Sequence, residues 1–448
     1  MRRALLASLL LLTSLAPLPA EPRLEKSPSS LVYPDFWHTP LGIHRGTPQL
    51  LKMLAGEDAK FDDPAGVACT RLKADGDDTP QITAFGLNKG SGQVVYNPDM
   101  KSLAVYGSQG PGVGQFDHPQ GIACDAEGRV LVADTGNHRL VKLRFKDGTL
   151  TWEGALGEPG IGPGQFHSPG GVALDSQGRI YVADTYNNRV QVLSPEGAPL
   201  GMFGGDSNAN NSMLEPQAVA VVDALEPYTA EPAAAVYVID MHHGRIQHFS
   251  PDGRFLGQAT ARDLGRASVY FDSLALDYFN NVWVTDRSSD QIHKFDQHLQ
   301  WVASWGRPGT EDGCLNGPRG IAIHRHFGQV LVLEAASAQY LWIGADVDQV
   351  RLSPQLDPVH GMMVRIDYKL TERAFVDAWV ETDDHQRLAT LLKRKLRRQG
   401  AQTLLWNGDM DSGFRIAKGP YQLVFQAEAT YSSATYVKRE FRRRLMIN

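Results

Sequence analysis

Cysteine is scarce: Cys69, Cys124 and Cys314 are the three in 448 residues. That is not a disulfide framework for a chain of this size. Helical periodicity is scarce as well, whereas 44 glycines and 26 prolines suit a fold with many turns. Beyond the first twenty residues no apolar run is long enough to span a membrane, so no transmembrane segment is expected. The sequence contains no G-x-S-x-G elbow and no H-E-x-x-H pair. Positive charge is not in excess. The formal net charge is −6, which argues against nucleic acid as a partner of the whole protein.

What is present is a repeat. Gly114-Gln115-Phe116-Asp117-His118-Pro119-Gln120-Gly121-Ile122-Ala123, followed by Val132-Ala133-Asp134-Thr135-Gly136-Asn137-His138-Arg139, returns as Gly164 to Ala173 and Val182 to Arg189. The Pro-x-Gly-Val-Ala core is found at Pro64, Pro119, Pro169, Pro216 and Pro318, with a degenerate copy from Phe271 to Ala275. Successive copies are 55, 50, 47, 55 and 47 residues apart. Short strands repeated at such a period mean a propeller or a similar array, and six copies predict six blades. Short alternating runs such as Arg129 to Ala133 suit strands.

Copies two and three resemble the NHL repeat, with G-x-G-x-G-Q-F, P-x-G-I/V-A and V-A-D-T-x-N-x-R nearly complete. The resemblance covers roughly residues 50 to 350 and implies a β-propeller with four antiparallel strands per blade. It implies no particular activity, because a fold of this kind hosts both enzymes and binding scaffolds. The repeated polar residues read as structural. Asp134 and Asp184 end strands and can accept backbone N–H bonds across the turn that follows. Asn137 and Asn187 tolerate a left-handed backbone, and Arg139 and Arg189 can pair with a nearby carboxylate. Cys69 and Cys124 occupy the same repeat position and read as small apolar side chains of innermost strands.

The ends of the chain differ from the middle. Arg2 and Arg3, the apolar run Ala4 to Leu15, and Leu18-Pro19-Ala20 form a secretory signal peptide over residues 1–20. The protein is therefore expected to be exported, periplasmic or extracellular, with net charge −8 after cleavage. Residues 21–48 read as an extended lead-in, and residues 49–353 as the propeller. Leu50 to Leu54 reads as a strand, and either it or Val347 to Leu352 is expected to close the ring. Residues 358–445 carry Trp406-Asn407-Gly408-Asp409, Gly413 and Gly419-Pro420-Tyr421. They resemble the immunoglobulin-like domain of the flagellar hook-capping protein family, which implies a small β-sandwich with Trp406 and Tyr421 in its core. The basic run Lys393 to Arg398 reads as a solvated strand and turn, or as a patch for an acidic partner.

The fold expected is thus all-β: a six-bladed propeller followed by a sandwich. Residues just after each repeat proline should ring the channel mouth, and they vary while the scaffold around them repeats. Gln120, Gln217, Asp272 and Arg319 are the candidate ligand-binding residues, with Asp272 and Arg319 expected to form an ion pair. The long glycine-rich loops Gly107–Gln115 and Gly157–Gln165 are expected to shape a pocket over the channel. The reading that follows is a non-catalytic scaffold for a protein, peptide or glycan, without a cofactor. Two others remain open. One is a lyase or hydrolase using a divalent metal such as zinc on His118, His167 and His242; separately, Asp206 to Asn210 begins like a calcium loop but lacks its Gly at position six and Glu at position twelve. The other is a structural component of the cell envelope.

Overall fold

In four of the repeats the second strand is a largely apolar run ending in an acid: Arg129–Asp134, Ile180–Asp184, Ala235–Asp240 and Val282–Asp286. All but Arg129 in these four strands is buried. A strand can be apolar on both faces only if neighbours cover both, and that is the arrangement of the computed structural model. It describes residues 31–34, 44–56, 59–73, 82–98, 102–205, 212–357, 361–431 and 438–447. The expected signal peptide and the calcium-like stretch Asp206–Asn210 lie outside the described residues.

Five four-stranded antiparallel sheets follow one another, starting at Pro64, Ile122, Pro169, Pro216 and Phe271. A sixth begins at Gly320, and its strands are Gly320–His324, Gln329–Leu333 and Ala338–Ile343. The first strand of each sheet packs on the first strand of the next, and the sixth returns to the first, so the sheets form a ring. This is a propeller. Apolar clusters fill the gaps between neighbours: Phe85, Phe116 and Phe145 between sheets one and two, Leu131, Phe166 and Val182 between two and three, Tyr237, Phe271 and Phe295 between four and five.

The glycine of the repeat core has a steric reason. A Cβ on Gly121 would lie 2.4 Å from the Gly170 carbonyl oxygen, and one on Gly320 would lie 2.6 Å from that of Ala65. Adjacent inner strands approach backbone to backbone here, and no side chain fits. The residue before the repeat proline is left-handed in all five copies that have the proline, at Asp63, His118, Ser168, Glu215 and Gly317.

Ring closure differs from both sequence expectations. Leu50–Leu54 lies in the helix α1 (Pro48–Ala55), and Val347–Leu352 lies in a strand of the C-terminal unit. Thr47 accepts the N–H of Leu50 at 3.3 Å and Pro48 stands at the helix start. Leu50, Leu51 and Leu54 then share a face, a helical spacing that a five-residue reading takes for a strand. The outer edge of the sixth sheet is instead covered by Leu31–Val32 and Arg45–Gly46, both antiparallel to Ala338–Ile343.

The C-terminal unit has two sheets. One joins Val347–Asp357, Gly361–Leu370 and Gly400–Trp406. The other has the order Arg387–Arg397, Ala374–Glu381, Gly419–Ala429, Lys438–Ile447. The unit therefore starts at Val347, inside the segment assigned to the propeller from sequence. Trp406 is buried in the core between these sheets, and Tyr421 packs partly buried against it. That core runs on without interruption into sheets five and six. At the junction the Lys294 ammonium, 1% exposed, meets Glu372 Oε2 at 2.5 Å and the Thr371 carbonyl at 2.8 Å.

Candidate functional site at the channel mouth

Each repeat acid pins the loop that leads into its own sheet. Asp134 is fully buried. Its Oδ1 accepts the N–H of Asp117 at 2.6 Å, and its Oδ2 accepts from Asn137 Nδ2 at 2.9 Å and Arg139 Nε at 2.8 Å. Asp184 repeats this with the His167 N–H, Asn187 and Arg189, and adds Gln191 Nε2. Two details depart from the sequence reading. The N–H groups captured belong to the loop before the first strand, not to the turn after the second. The left-handed residues are His138 (φ 54°) and Asn188 (φ 55°), while Asn137 and Asn187 close short 3-10 turns with their side chains.

The same cluster explains what the glycine-rich loops do. Arg139 Nη2 donates to the carbonyls of Gly112 and Gln115, and Asn137 donates to that of Gly110. Gly107–Gln115 and Gly157–Gln165 are held against the repeat acids, and none of their residues lines the central cavity. The expectation that they shape the pocket is corrected by these bonds.

The cavity lies where the residues after the repeat prolines converge. Its volume is about 400 Å³, and Gln120, Gln217, Asp272 and Arg319 all line it. The first strands supply Gln217 and Asp272, the residues leading into them supply Gln120 and Arg319, and the turns between second and third strands supply Thr135, Thr185, Tyr186, Met241 and Arg287. Asp272 and Arg319 do not pair with each other. Arg319 Nη1 bonds Asp63 of the first sheet. Asp272 Oδ1 accepts from Gln217 Nε2 at 3.2 Å, and Arg287 Nε lies 3.0 Å from Oδ2. Ring geometry decides this. Arg319 reaches forward to sheet one, while Asp272 meets Gln217 of sheet four and the charge of Arg287 in its own sheet, so neither turns to the other.

Asp272 is 8% exposed, and burial pushes its carboxyl up to about 6, with Arg287 and Gln217 opposing the rise. Two buried atoms of the wall have no hydrogen-bond partner, Gln217 Oε1 and Arg319 Nε, while Asp272 Oδ2 is ion-paired with Arg287. Arg287, Tyr270, Lys89 and Glu215 were not singled out from the sequence. Arg287 follows the acid of sheet five by one residue, where Thr135 and Thr185 stand in sheets two and three, and that departure from the repeat was the available signal. Its guanidinium lies 4.3 Å from the centroid of the Tyr270 ring.

The three histidines are not gathered. His118 is left-handed and exposed, with Nδ1 2.6 Å from Asp117 Oδ1. His167 packs its ring near His138 and Tyr186. His242 is exposed, and its neighbour His243 is the one that bonds the acid of sheet four, Asp240. Among the described residues no three His, Cys, Asp or Glu side chains are grouped so as to hold a metal ion. Nor is any helix among them long and apolar enough to cross a membrane.

No curated protein matches the chain. Solved structures that are similar include a streptogramin B lyase, 14% identical with a TM-score of 0.43 over 63% of this chain and 94% of that one. A gluconolactonase from Xanthomonas campestris is 15% identical, with a TM-score of 0.45 over 71% and 99% of the two chains. A calcium-binding regucalcin from Agrobacterium tumefaciens is 12% identical, with a TM-score of 0.43 over 67% and 93%. Residues 116–143 and 166–193 match the family model described as NHL repeat, so sheets two and three of this propeller are NHL repeats.

Proposed function

We propose that the protein is an exported, non-catalytic binding scaffold. Its ring counts as a six-bladed NHL propeller, and the unit from Val347 onward serves as an immunoglobulin-like module for docking in the cell envelope. The ligand, a protein, peptide or glycan, is held at the channel mouth by Gln120, Gln217, Asp272 and Arg319. One observation carries this reading. The cavity wall holds two unpartnered polar atoms, Gln217 Oε1 and Arg319 Nε, and the strongly displaced carboxyl of Asp272 at the positions where the repeats differ, inside a frame where they agree. A repeat needs no Asp272 to fold, since copies two and three have Gln120 and Gly170 there. Unsatisfied polar groups cost stability and are kept where they meet something else.

The test is binding of the purified protein to glycan and peptide arrays, beside a quadruple variant Gln120→Ala, Gln217→Ala, Asp272→Asn, Arg319→Ala shown to be folded by circular dichroism. Loss of bound ligands by tenfold or more is the expected result. Unchanged binding would place the site elsewhere, and conversion of a bound ligand to product would replace the scaffold reading with an enzymatic one.

A further inference from the structure

Resting on the reading that the C-terminal unit docks in the cell envelope, we propose that one flank of this unit lies on the surface of an anionic lipid bilayer. The flank follows from the topology. Arg387–Arg397 is a free edge of the four-stranded sheet, and Gly400–Trp406 is a free edge of the other. Two residues, Arg398 and Gln399, join them, so the two edges stand side by side.

The charges come next. From residue 347 onward the chain carries 17 lysines and arginines against 12 acids, whereas the whole chain has 44 against 50. The densest run of cations, Lys393-Arg394-Lys395-Leu396-Arg397-Arg398, lies on this flank. Arg394 is ion-paired with Glu428 at 3.2 Å, and its guanidinium lies 4.7 Å from the centroid of the Phe375 ring. Lys393, Lys395 and Arg398 are exposed and form no ion pair among the described residues. On the opposite edge strand, Lys438–Ile447, cations are paired instead: Lys438 with Glu428, Arg439 with Asp346, and Arg442 with Glu381 and Glu440. Anionic headgroups are the charge complement of the three unpaired cations.

The same flank exposes apolar side chains. Leu396, Leu405 and Phe414 are 42%, 41% and 72% exposed. Leu396 stands inside the basic run and Leu405 on the neighbouring edge strand. The turn that carries Phe414 is tied to the basic strand, because Asp411 donates its N–H to the Leu388 carbonyl at 2.9 Å and accepts that of Thr390 at 2.8 Å. Lysines on a free edge also keep other strands from pairing with it, but that role gains nothing from leucine and phenylalanine exposed beside them. A soluble polyanion gains nothing from them either. A bilayer interface takes both: apolar side chains enter at the acyl boundary while cations stay with the headgroups, their stems along apolar surface.

Sedimentation of the full protein with lipid vesicles tests this. The probes are phosphatidylcholine alone, phosphatidylcholine mixed with phosphatidylglycerol, and polygalacturonate as a soluble polyanion. The result expected is binding to the mixed vesicles at least tenfold tighter than to phosphatidylcholine, and weakened by salt. It should fall at least tenfold in the triple variant Lys393→Gln, Lys395→Gln, Arg398→Gln, and at least threefold in Leu396→Ser with Phe414→Ser, each checked for folding by circular dichroism. Vesicle binding unchanged in the triple variant, or equal on both kinds of vesicle, would overturn the proposal. Polygalacturonate binding that is lost in the triple variant, with no vesicle binding, would overturn the lipid assignment and give the flank to a soluble polyanion. Sedimentation with isolated cell envelopes decides the docking reading by itself. Protein found there without vesicle binding keeps that reading and overturns the lipid one, and protein found with neither overturns both.

Discussion

Lys294→Met removes one ammonium from the junction between the propeller and the C-terminal sheets, and its effect can be worked from the groups around it. Asp277 does not depend on this lysine. It is held by the N–H groups of Phe279 and Asn281, by Asn281 Nδ2 and by Trp283 Nε1, and lies 3.9 Å from the ammonium. Glu372 does depend on it, since besides Lys294 it accepts only the Arg373 N–H among the bonds described here. Burial already pushes the Glu372 carboxyl up to about 7, with Lys294 opposing the rise. Removing the lysine strands a buried carboxylate, which costs about 3–5 kcal/mol. A folded-state value above the ordinary one means that the proton is held more tightly in the folded state. The associated stability is full below the ordinary value near 4.5 and is lost as pH rises through about 7. The variant should therefore be close to wild type at pH 5 and much weaker at pH 8. Lys294→Met combined with Glu372→Gln should recover to within about 1 kcal/mol, since an uncharged pair leaves nothing stranded. Urea unfolding followed by tryptophan fluorescence reads all three proteins. Equal losses in the single and double variants, or a loss independent of pH, would refute the reasoning.

Asp184→Ala leaves the His167 N–H, Asn187, Arg189 and Gln191 without their acceptor and should cost about 3 kcal/mol in the same unfolding assay. Arg45→Ala should cost about as much, because Arg45 pairs with the fully buried Glu334 at 2.7 Å and donates to the carbonyls of Glu311 and Cys314. Arg45→Lys should rescue little, since a single ammonium cannot serve carboxylate and carbonyls together. Gly121→Ala places a Cβ against the Gly170 carbonyl and should lower the melting temperature sharply, whereas Gly257→Ala, where nothing lies within 4 Å, should leave it nearly unchanged. Asp272→Asn should stabilise the protein at pH 8 by about 1–2 kcal/mol and not at pH 4, because the wild-type carboxyl, pushed up to about 6, loses stability as pH rises through that value. A variant that is weaker at pH 8 would remove the argument that this residue is kept at a cost.

The repeat acids show how far the sequence reaches. Asp134, Asn137 and Arg139 recur at Asp184, Asn187 and Arg189, and recurrence marks them as parts of the frame before any coordinates. Their partners were not legible. The N–H that Asp134 captures is seventeen residues upstream, and the sixth sheet takes its arginine from Arg45, 289 residues before Glu334. In copy six the repeat arginine is missing, and only closure of the ring brings the lead-in segment to fill its place. The same holds at the cavity. Gln217, Asp272 and Arg319 could be placed on one ring from their position after the repeat proline. Whom each one bonds depends on which neighbour lies closer, and Asp272 turned to Gln217 and Arg287 while Arg319 turned to Asp63.

By itself the sequence determined the period, the strand content, the ring of inner strands and the residues that stand at its mouth, because these follow from local pattern repeated at a fixed spacing. Tertiary structure decided the rest: that α1 is a helix, that Leu31–Val32 and Arg45–Gly46 cover the last sheet, that Val347–Asp357 belongs to the C-terminal unit, and that Lys294 is buried against Glu372. The physical reason is common to all four. Each depends on contacts between segments far apart in the chain, and such contacts leave no periodic trace in either segment alone.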